Sequence, residues 1–190
     1  PEIRMKETEK SSDILGLNVR EKLGFADIKF LNDWDHQIEV IKMIRKYRPE
    51  IILANAIRDR HPDHGKGAEL LQQSFFKSGL AKIETKLDGA QQHPYRAKHL
   101  YHYIQNDYIE PTVIVDISDF WDKKIDSIMA FKSQFYDPNS DEPETFISSA
   151  SFIEFIEARA KEAGHRIGAK YGEGFTMSTT PGVSDLFSIV

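Results

Sequence analysis

Asp59-Arg60-His61-Pro62-Asp63-His64 places two imidazoles, two carboxylates and one guanidinium within six residues. Groups of these types move protons, bind metal ions or hold anions. The spacing narrows the choice. Pro62 suits the first position of a helix, where its missing N–H would be unpaired anyway. His61 then falls at the N-cap, with Asp63 and His64 second and third in the helix. Asp63 stands near the positive end of the helix dipole. Two imidazoles and a carboxylate therefore converge on one helix mouth. Neutral imidazole is a common zinc ligand, and a catalytic zinc usually takes three protein ligands and one water. A capped, solvated helix start with two surface histidines satisfies the same spacing, so the motif alone leaves both readings open.

The flanking elements must position these groups. Ile51-Ile52-Leu53-Ala54, bounded by Arg48-Pro49, predicts a buried strand. A helix follows from about His64 to Ser78, with Ala68, Leu70, Leu71, Phe75 and Phe76 as its buried face and Gly79 closing it. In open α/β sheets, ligands sit beyond the carboxyl ends of strands, where the next helix begins. His36–Tyr47 reads as a helix with Ile38, Val40, Ile41, Met43 and Ile44 as its stripe. Glu2–Leu15 reads as a helix stopped by Gly16, and Val19–Leu23 as a short strand. Gly24–Asp35 and Leu87–Tyr95 read as irregular. His99–Ile104 reads as a strand that puts His99 and His102 on opposite faces, in structural roles.

Thr112–Ile117 predicts a core strand. Asp119 caps a helix over Phe120–Phe135 that buries Trp121, Ile125, Ile128 and Met129. Residues 136–145 form an acidic loop. Ser151-Phe152-Ile153-Glu154 has the capping-box pattern for a helix to Ala163, with Gly164 as its stop. Apolar strands alternating with amphipathic helices predict an α/β protein, layered and Rossmann-like with a mostly parallel sheet, forming a single domain over 1–190.

Composition sets bounds. A chain of 190 residues can build one real core. With 25 basic and 30 acidic residues and no long basic run, nucleic acid is not an expected partner. There is no cysteine, so any metal must use His, Asp or Glu, as suits a reducing, cytoplasmic setting. No run of about 18 apolar residues and no signal-peptide pattern occurs, so no membrane partner is expected. No Gly-rich phosphate loop or nucleophile elbow is present.

Asp59–His64 resembles the second signature of the LmbE-like, or PIG-L, zinc-dependent de-N-acetylases. Other stretches agree in order: Arg4 with Glu7, Ile14–Leu17, Arg48–Ile52, His93-Pro94-Tyr95-Arg96, Tyr101–Tyr103, Asp116–Asp119, Ser133–Phe135 and Tyr171–Phe175. The resemblance is nearest to members that deacetylate N-acetylglucosaminyl malate in bacillithiol biosynthesis. It implies that His64 is a zinc ligand. It implies that His61, held by Asp63, steadies the oxyanion and helps protonate the leaving amine. Arg4, Arg60 and Arg96 would line the substrate cleft, where a guanidinium fork matches a substrate carboxylate. It also implies a homo-oligomer, a trimer or hexamer.

Two departures accompany it. The family's first signature, an Ala-His-Pro-Asp-Asp-like motif carrying the other zinc ligands and the base, is absent. Its expected place is upstream of Pro1, which would make the domain N-terminally incomplete and the chain by itself inactive. A tyrosine expected near Ser151 is replaced by Phe152. A non-catalytic sugar-conjugate binder of the same fold, or an unrelated α/β interaction protein, are the alternative readings.

Overall fold

In chain order the elements are α1 (Glu2–Leu15), α2 (Trp34–Tyr47), β1 (Ile51–Ala54), α3 (Pro62–Ser78), β2 (Lys86–Leu87), β3 (Ala90–Gln91), β4 (His99–Tyr103), β5 (Val113–Asp116), α4 (Trp121–Met129), α5 (Ala150–Arg166) and β6 (Gly172–Thr176). This computed structural model describes residues 2–135 and 146–189, so the acidic loop expected at 136–145 lies outside the described residues. The elements gather into two compact units. The first joins Lys22–Val113 with Gly174–Ile189; the second joins Ile114–Glu173 with the residues up to Glu21.

In the first unit β1 runs parallel to β4, with Ile51 opposite His99 and Ala54 opposite His102. Parallel strands need a long crossover, and α3 supplies it. The end of β6 returns antiparallel to β4, pairing His102 with Thr176 and Tyr103 with Phe175. The α/β layering is as expected, but the strand directions are not. Among the described residues β1 and β4 form the one parallel pair and the remaining pairings are antiparallel. Apolar patterning marks a strand without giving its direction, which is why the mostly parallel expectation misses.

The core of this unit is Val40 and Ile44 of α2 with Leu70 of α3, backed by Phe25, Phe30, Ile52, Leu71 and Tyr95. Alternation turns Ile51 and Leu53 to the other face of β1, where they stay 54% and 56% exposed. The strand is thus covered on one face within this unit rather than buried. On α3, Phe76 is exposed although its spacing suggested core. Ser74 and Ser78 are fully buried instead, their hydroxyls donating to Leu70 O (2.7 Å) and Phe75 O (2.8 Å). Small residues are needed there because the buried Arg45 guanidinium passes across the helix end. It donates to Ser78 O (3.0 Å), Leu80 O (2.9 Å), Ile83 O (2.6 Å) and Thr85 Oγ1 (2.9 Å). Carbonyls at a helix C-terminus lack helical partners, and Arg45 supplies them.

The stretch read as a Leu87–Tyr95 loop contains part of the β2–β3 hairpin. Its turn is Asp88-Gly89, with φ of 50° and 81°, the pair of positive values that a tight hairpin twist requires.

In the second unit Trp121 stacks on Tyr171, ring centroids 4.2 Å apart, beside Ala160, Ile117, Ile125 and Ile156. Ile117 N–H donates to Tyr171 O at 3.0 Å. On α1, Glu7 accepts both the N–H and the hydroxyl of Ser133, each at 2.7 Å. Gly16 follows α1 at φ 71°, the expected stop. Several boundaries move. Val19–Leu23 forms no strand. A 3-10 turn at Ser118–Phe120 precedes α4, which ends at Met129. Asp119 does not cap it. Asp116 shapes that turn, its Oδ1 accepting from Ser118 N–H (2.8 Å) and Oγ–H (2.6 Å).

Helix α5 starts at Ala150 behind Ser149, and Ser151 lies inside it. Gly164 is no stop either, since α5 continues to Arg166. It is glycine because the chain doubles back on it. A Cβ on Gly172 would lie 2.7 Å from Gly164 N, and one on Gly164 would lie 2.8 Å from Ala169 O.

Candidate active site

Because β1 and β4 are parallel, their carboxyl ends open side by side, the place where α/β sheets bind ligands. The segments leaving the two strands stay laced together. His102 Nδ1–H donates to Asn55 O at 2.7 Å, and Ala56 N–H donates to Gln105 Oε1 at 3.2 Å. Asn106 and Asp107 N–H then reach Asp59 Oδ1 at 3.2 and 3.0 Å. The β1–α3 loop is thereby fixed before the helix starts.

The Asp59 side chain is fully buried. Its Oδ1 also accepts Arg60 N–H at 2.8 Å, and its Oδ2 lies 2.5 Å from His64 Nδ1. Burial alone would push this carboxyl up. The bonds from His64 and from the N–H groups of Asp107 and Arg60 outweigh it and hold Asp59 below the usual carboxylate range. An ionised carboxylate can only accept, so His64 carries its proton on Nδ1. The Nε2 lone pair then faces the Gln105 amide nitrogen at 3.2 Å.

His61 is the N-cap of α3, at φ −89° and ψ 121°, and its Nδ1 accepts Asp63 N–H at 3.2 Å. Neutral His61 therefore carries its proton on Nε2, where among the described residues no hydrogen bond engages it. The two rings lie 5.2 Å apart and are tilted by 33°. Two neighbouring imidazoles thus hold opposite tautomers. His61 offers an N–H, and His64 offers a lone pair.

The expected positions of His61, Pro62, Asp63 and His64 on the helix are as observed. The tie between His61 and Asp63 runs through the Asp63 backbone N–H rather than its carboxylate. That carboxylate accepts Ile28 N–H at 2.6 Å and Lys66 Nζ at 3.0 Å. The Ile28 bond, more than the Lys66 bond and charge or the His61 charge, holds the Asp63 carboxyl low against its burial. Ile28 has φ 67°, a strained value for a β-branched residue, and Lys66 also donates to its carbonyl at 3.1 Å.

Within the first unit Arg60 and Arg96 do not gather. Arg60 is exposed next to His61. Arg96 donates to Phe76 O at 2.7 Å and lies over the Phe76 ring at 4.5 Å, at the other end of α3. About 18 Å of helix separates His64 from Phe76 at 1.5 Å per residue. Arg96 is thus a brace for the end of α3 rather than a neighbour of His61. Arg4 is exposed on α1, in the second unit. Phe152 stacks on Phe135 at 5.8 Å and has no group that could hydrogen-bond an intermediate.

Among the described residues no three of His, Asp and Glu stand together as a metal cage. The donor set reduces to the single His64 imidazole, and Asp59 is committed to three backbone N–H groups. A zinc ion does not fit this set.

Motif spacing missed the importance of Asp59 and Gln105. A carboxylate five residues before His64 was a faint signal. Gln105 is 41 residues from His64, and only the β1–β4 register brings it there.

These features define an α/β protein with an ionisable crevice at the ends of two parallel strands. The PIG-L family, GlcNAc-PI de-N-acetylase, matches residues 1–75, which include the whole Asp59–His64 stretch. Diacetylchitobiose deacetylase of Thermococcus kodakarensis is 26% identical over 185 residues; the match covers 95% of this chain and 63% of that protein. This chain therefore spans less than two thirds of that relative. Among solved structures, the conserved protein TT1542 of Thermus thermophilus has a TM-score of 0.84 and 28% identity, over 96% of this chain and 76% of the other. The N,N'-diacetylchitobiose deacetylase of Pyrococcus horikoshii, complexed with an inhibitor, has a TM-score of 0.75 and 26% identity, over 92% and 62%. The PIG-L match thus spans less than half of this chain, and bacillithiol biosynthesis is not singled out among the likenesses. Among the described residues no helix is long and apolar enough to cross a membrane.

Proposed function

We propose that this chain works as, or within, a de-N-acetylase that releases acetate from an N-acetylated amino sugar. The observation that carries the reading is the pair of imidazoles with opposite tautomers at the mouth of α3. The acetyl carbonyl would lie against His61 Nε2–H, which donates to the oxygen as negative charge develops there. A preorganised donor at that point costs little to align, because the N-cap bond already sets the ring. A water would attack the acetyl carbon, and its proton would pass to the amine nitrogen as the C–N bond breaks, so that acetate and free amine leave while His61 keeps its own proton on the carbonyl oxygen's side. The family likeness and the relatives' deacetylase names support the same class.

Arg60, exposed beside His61, is the substrate-binding candidate of this unit, and an acidic conjugate such as N-acetylglucosaminyl malate suits a guanidinium. Zinc, implied by the resemblance, would take His64 as one ligand and would need others beyond the described set. The test is an acetate-release assay of the complete gene product on N-acetylglucosaminyl malate and on N,N'-diacetylchitobiose, with and without chelator. Release from neither substrate, by folded protein supplied with zinc, would remove the proposal. The second reading is a binder without turnover, which the lack of a metal-holding His/Asp/Glu group among the described residues favours. Calorimetric binding of either sugar without acetate release would select it.

A further inference from the structure

A second polar cluster joins α2 to α3 away from the crevice, and one residue fixes its proton directions. Lys77 can only donate, so the Gln37 atom that takes its Nζ is the amide oxygen. Gln37 Nε2 is then the NH₂ end. It donates to Asn32 Oδ1 at 2.7 Å and to Gln73 Oε1 at 3.0 Å. Lys77 Nζ also reaches Gln73 Oε1 at 3.3 Å. Asn32 and Gln73 thus spend their oxygens on Gln37, and their NH₂ groups turn away from it. Gln37 itself is 3% exposed, so the arrangement is held from within. Among the described residues neither of those NH₂ groups has a partner, and Lys77 pairs with no carboxylate. The neighbouring Asp33 carboxylate is spent on the His36 N–H and ring. Beside the cluster stands Trp34, its ring centroid 5.7 Å from Lys77 Nζ and its side chain 51% exposed.

We propose that Asn32, Trp34, Gln73 and Lys77 form a binding site for an acidic sugar. Every polar group the cluster presents is a donor: two amide NH₂ groups and one ammonium. An ionised carboxylate is the complementary ligand, because it only accepts. A neutral hydroxyl can accept from the same donors, but it forgoes the charge-assisted bond to Lys77, which is roughly twice as strong. The Trp34 indole supplies a flat apolar surface for the C–H face of a pyranose ring. About 14 Å of α3 separates Gln73 from His64 at 1.5 Å per residue, so this site is distinct from the crevice and does not depend on the reaction proposed there. A purely structural network would hold the same side chains in place and show no preference for a carboxylated ring.

The test titrates methyl β-D-glucuronide into the 190-residue chain, its two tryptophans labelled at the indole nitrogen, at about pH 7, where the carboxylate and the ammonium are both charged. The Trp34 N–H resonance is followed, with that of Trp121, which is buried, as the internal reference. Methyl β-D-glucoside carries the ring without the charge, and acetate the charge without the ring. The glucuronide should move the Trp34 resonance saturably, with a Kd about tenfold below those of the glucoside and of acetate, the worth of one charge-assisted bond. Lys77→Met should abolish the preference for glucuronide over glucoside. Gln73→Glu keeps acceptors for Gln37 and Lys77, guarding against loss of fold, and sets a like charge against the ligand, so it should abolish the preference too. A Trp34 resonance that stays still up to about 50 mM glucuronide overturns the proposal. So does a glucuronide that binds no tighter than the glucoside or acetate, or a folded variant of either kind that keeps the wild-type preference. Acetate release enters none of these readings, so the site and the proposed reaction stand or fall separately.

Discussion

Replacing Asp59 by Asn changes one oxygen to an NH₂ and reverses the logic of the whole network. The three backbone N–H groups of Arg60, Asn106 and Asp107 all converge on Oδ1, so the amide oxygen of the variant must stay there. Its NH₂ then faces His64 Nδ1–H, donor against donor. His64 can escape by moving the proton to Nε2, but there it meets the Gln105 amide, again donor against donor. Turning Gln105 over transfers the conflict to Ala56 N–H. One unsatisfied donor therefore survives in every arrangement, and one bond to a charged acceptor is lost.

A bond to a charged group is worth about 1.5–3 kcal/mol and a buried orphan costs about 1–3 kcal/mol. The substitution should cost about 3 kcal/mol after partial relaxation. With a urea m-value of about 2 kcal/mol/M, the unfolding midpoint should fall by about 1.5 M. Pairing Asp59→Asn with Gln105→Glu rebuilds the network in mirror image. The introduced amide donates to a bare His64 Nδ1, and His64 Nε2–H donates to a carboxylate that still accepts Ala56 N–H. The double variant should recover about half the loss, a coupling that a double-mutant cycle measures. Two results would refute the reasoning: a single variant within about 0.3 M of wild type, or strictly additive effects.

Other outcomes follow from the same structure. Gly172→Ala puts a Cβ 2.7 Å from Gly164 N, against backbone that cannot yield, so a loss of about 1–3 kcal/mol and a melting point lower by about 5 °C are expected by calorimetry. Glu7, held low chiefly by the Ser133 hydroxyl, Asp63, held low chiefly by Ile28 N–H, and Asp59 all have depressed folded-state values. Their stabilisation is therefore present above the unfolded carboxylate range of about 3.9–4.3 and is lost as pH falls through the folded values. Urea midpoints should be level near neutrality and fall below about pH 4; a midpoint unchanged down to about pH 3 contradicts those bonds. In the complete protein, His61→Ala should lower the deacetylation rate by about 10²–10³ while leaving His64 in its tautomer, and near-full turnover removes His61 from the proposed role.

Local chemistry was legible in the sequence where one residue decides it. Pro62 behind His61 announced the start of α3, and Gly16 announced the end of α1. The stripe on α2 gave Val40, Ile41 and Ile44, all buried. What failed depended on partners far along the chain. Phe76 fits the helical stripe, but Arg45 needs the serine-lined end of α3. Gly164 looks like a stop, yet the returning Gly172 explains it. Asp119 fits a cap by position, but Asp116 reaches Ser118 first. The site divides the same way. His61, Asp63 and His64 are close in sequence and could be placed by counting. The proton positions that give the two rings different properties come from Asp59 and Gln105, and the latter arrives through strand pairing. Arg96 was assigned to the cleft by likeness, and its separation from His64 emerges only along the length of α3.

The anchoring of α3 at both ends limits which insertions this protein can tolerate. Asp59 and Asp63 fix its start, and Arg45 and Arg96 hold its finish, so the helix cannot slide to absorb an extra residue. One residue inserted within its first turn would swing the His64 ring by about 100° about the axis and away from its carboxylate. The Asp88-Gly89 turn carries none of these ties, and length variation among related chains should collect there instead.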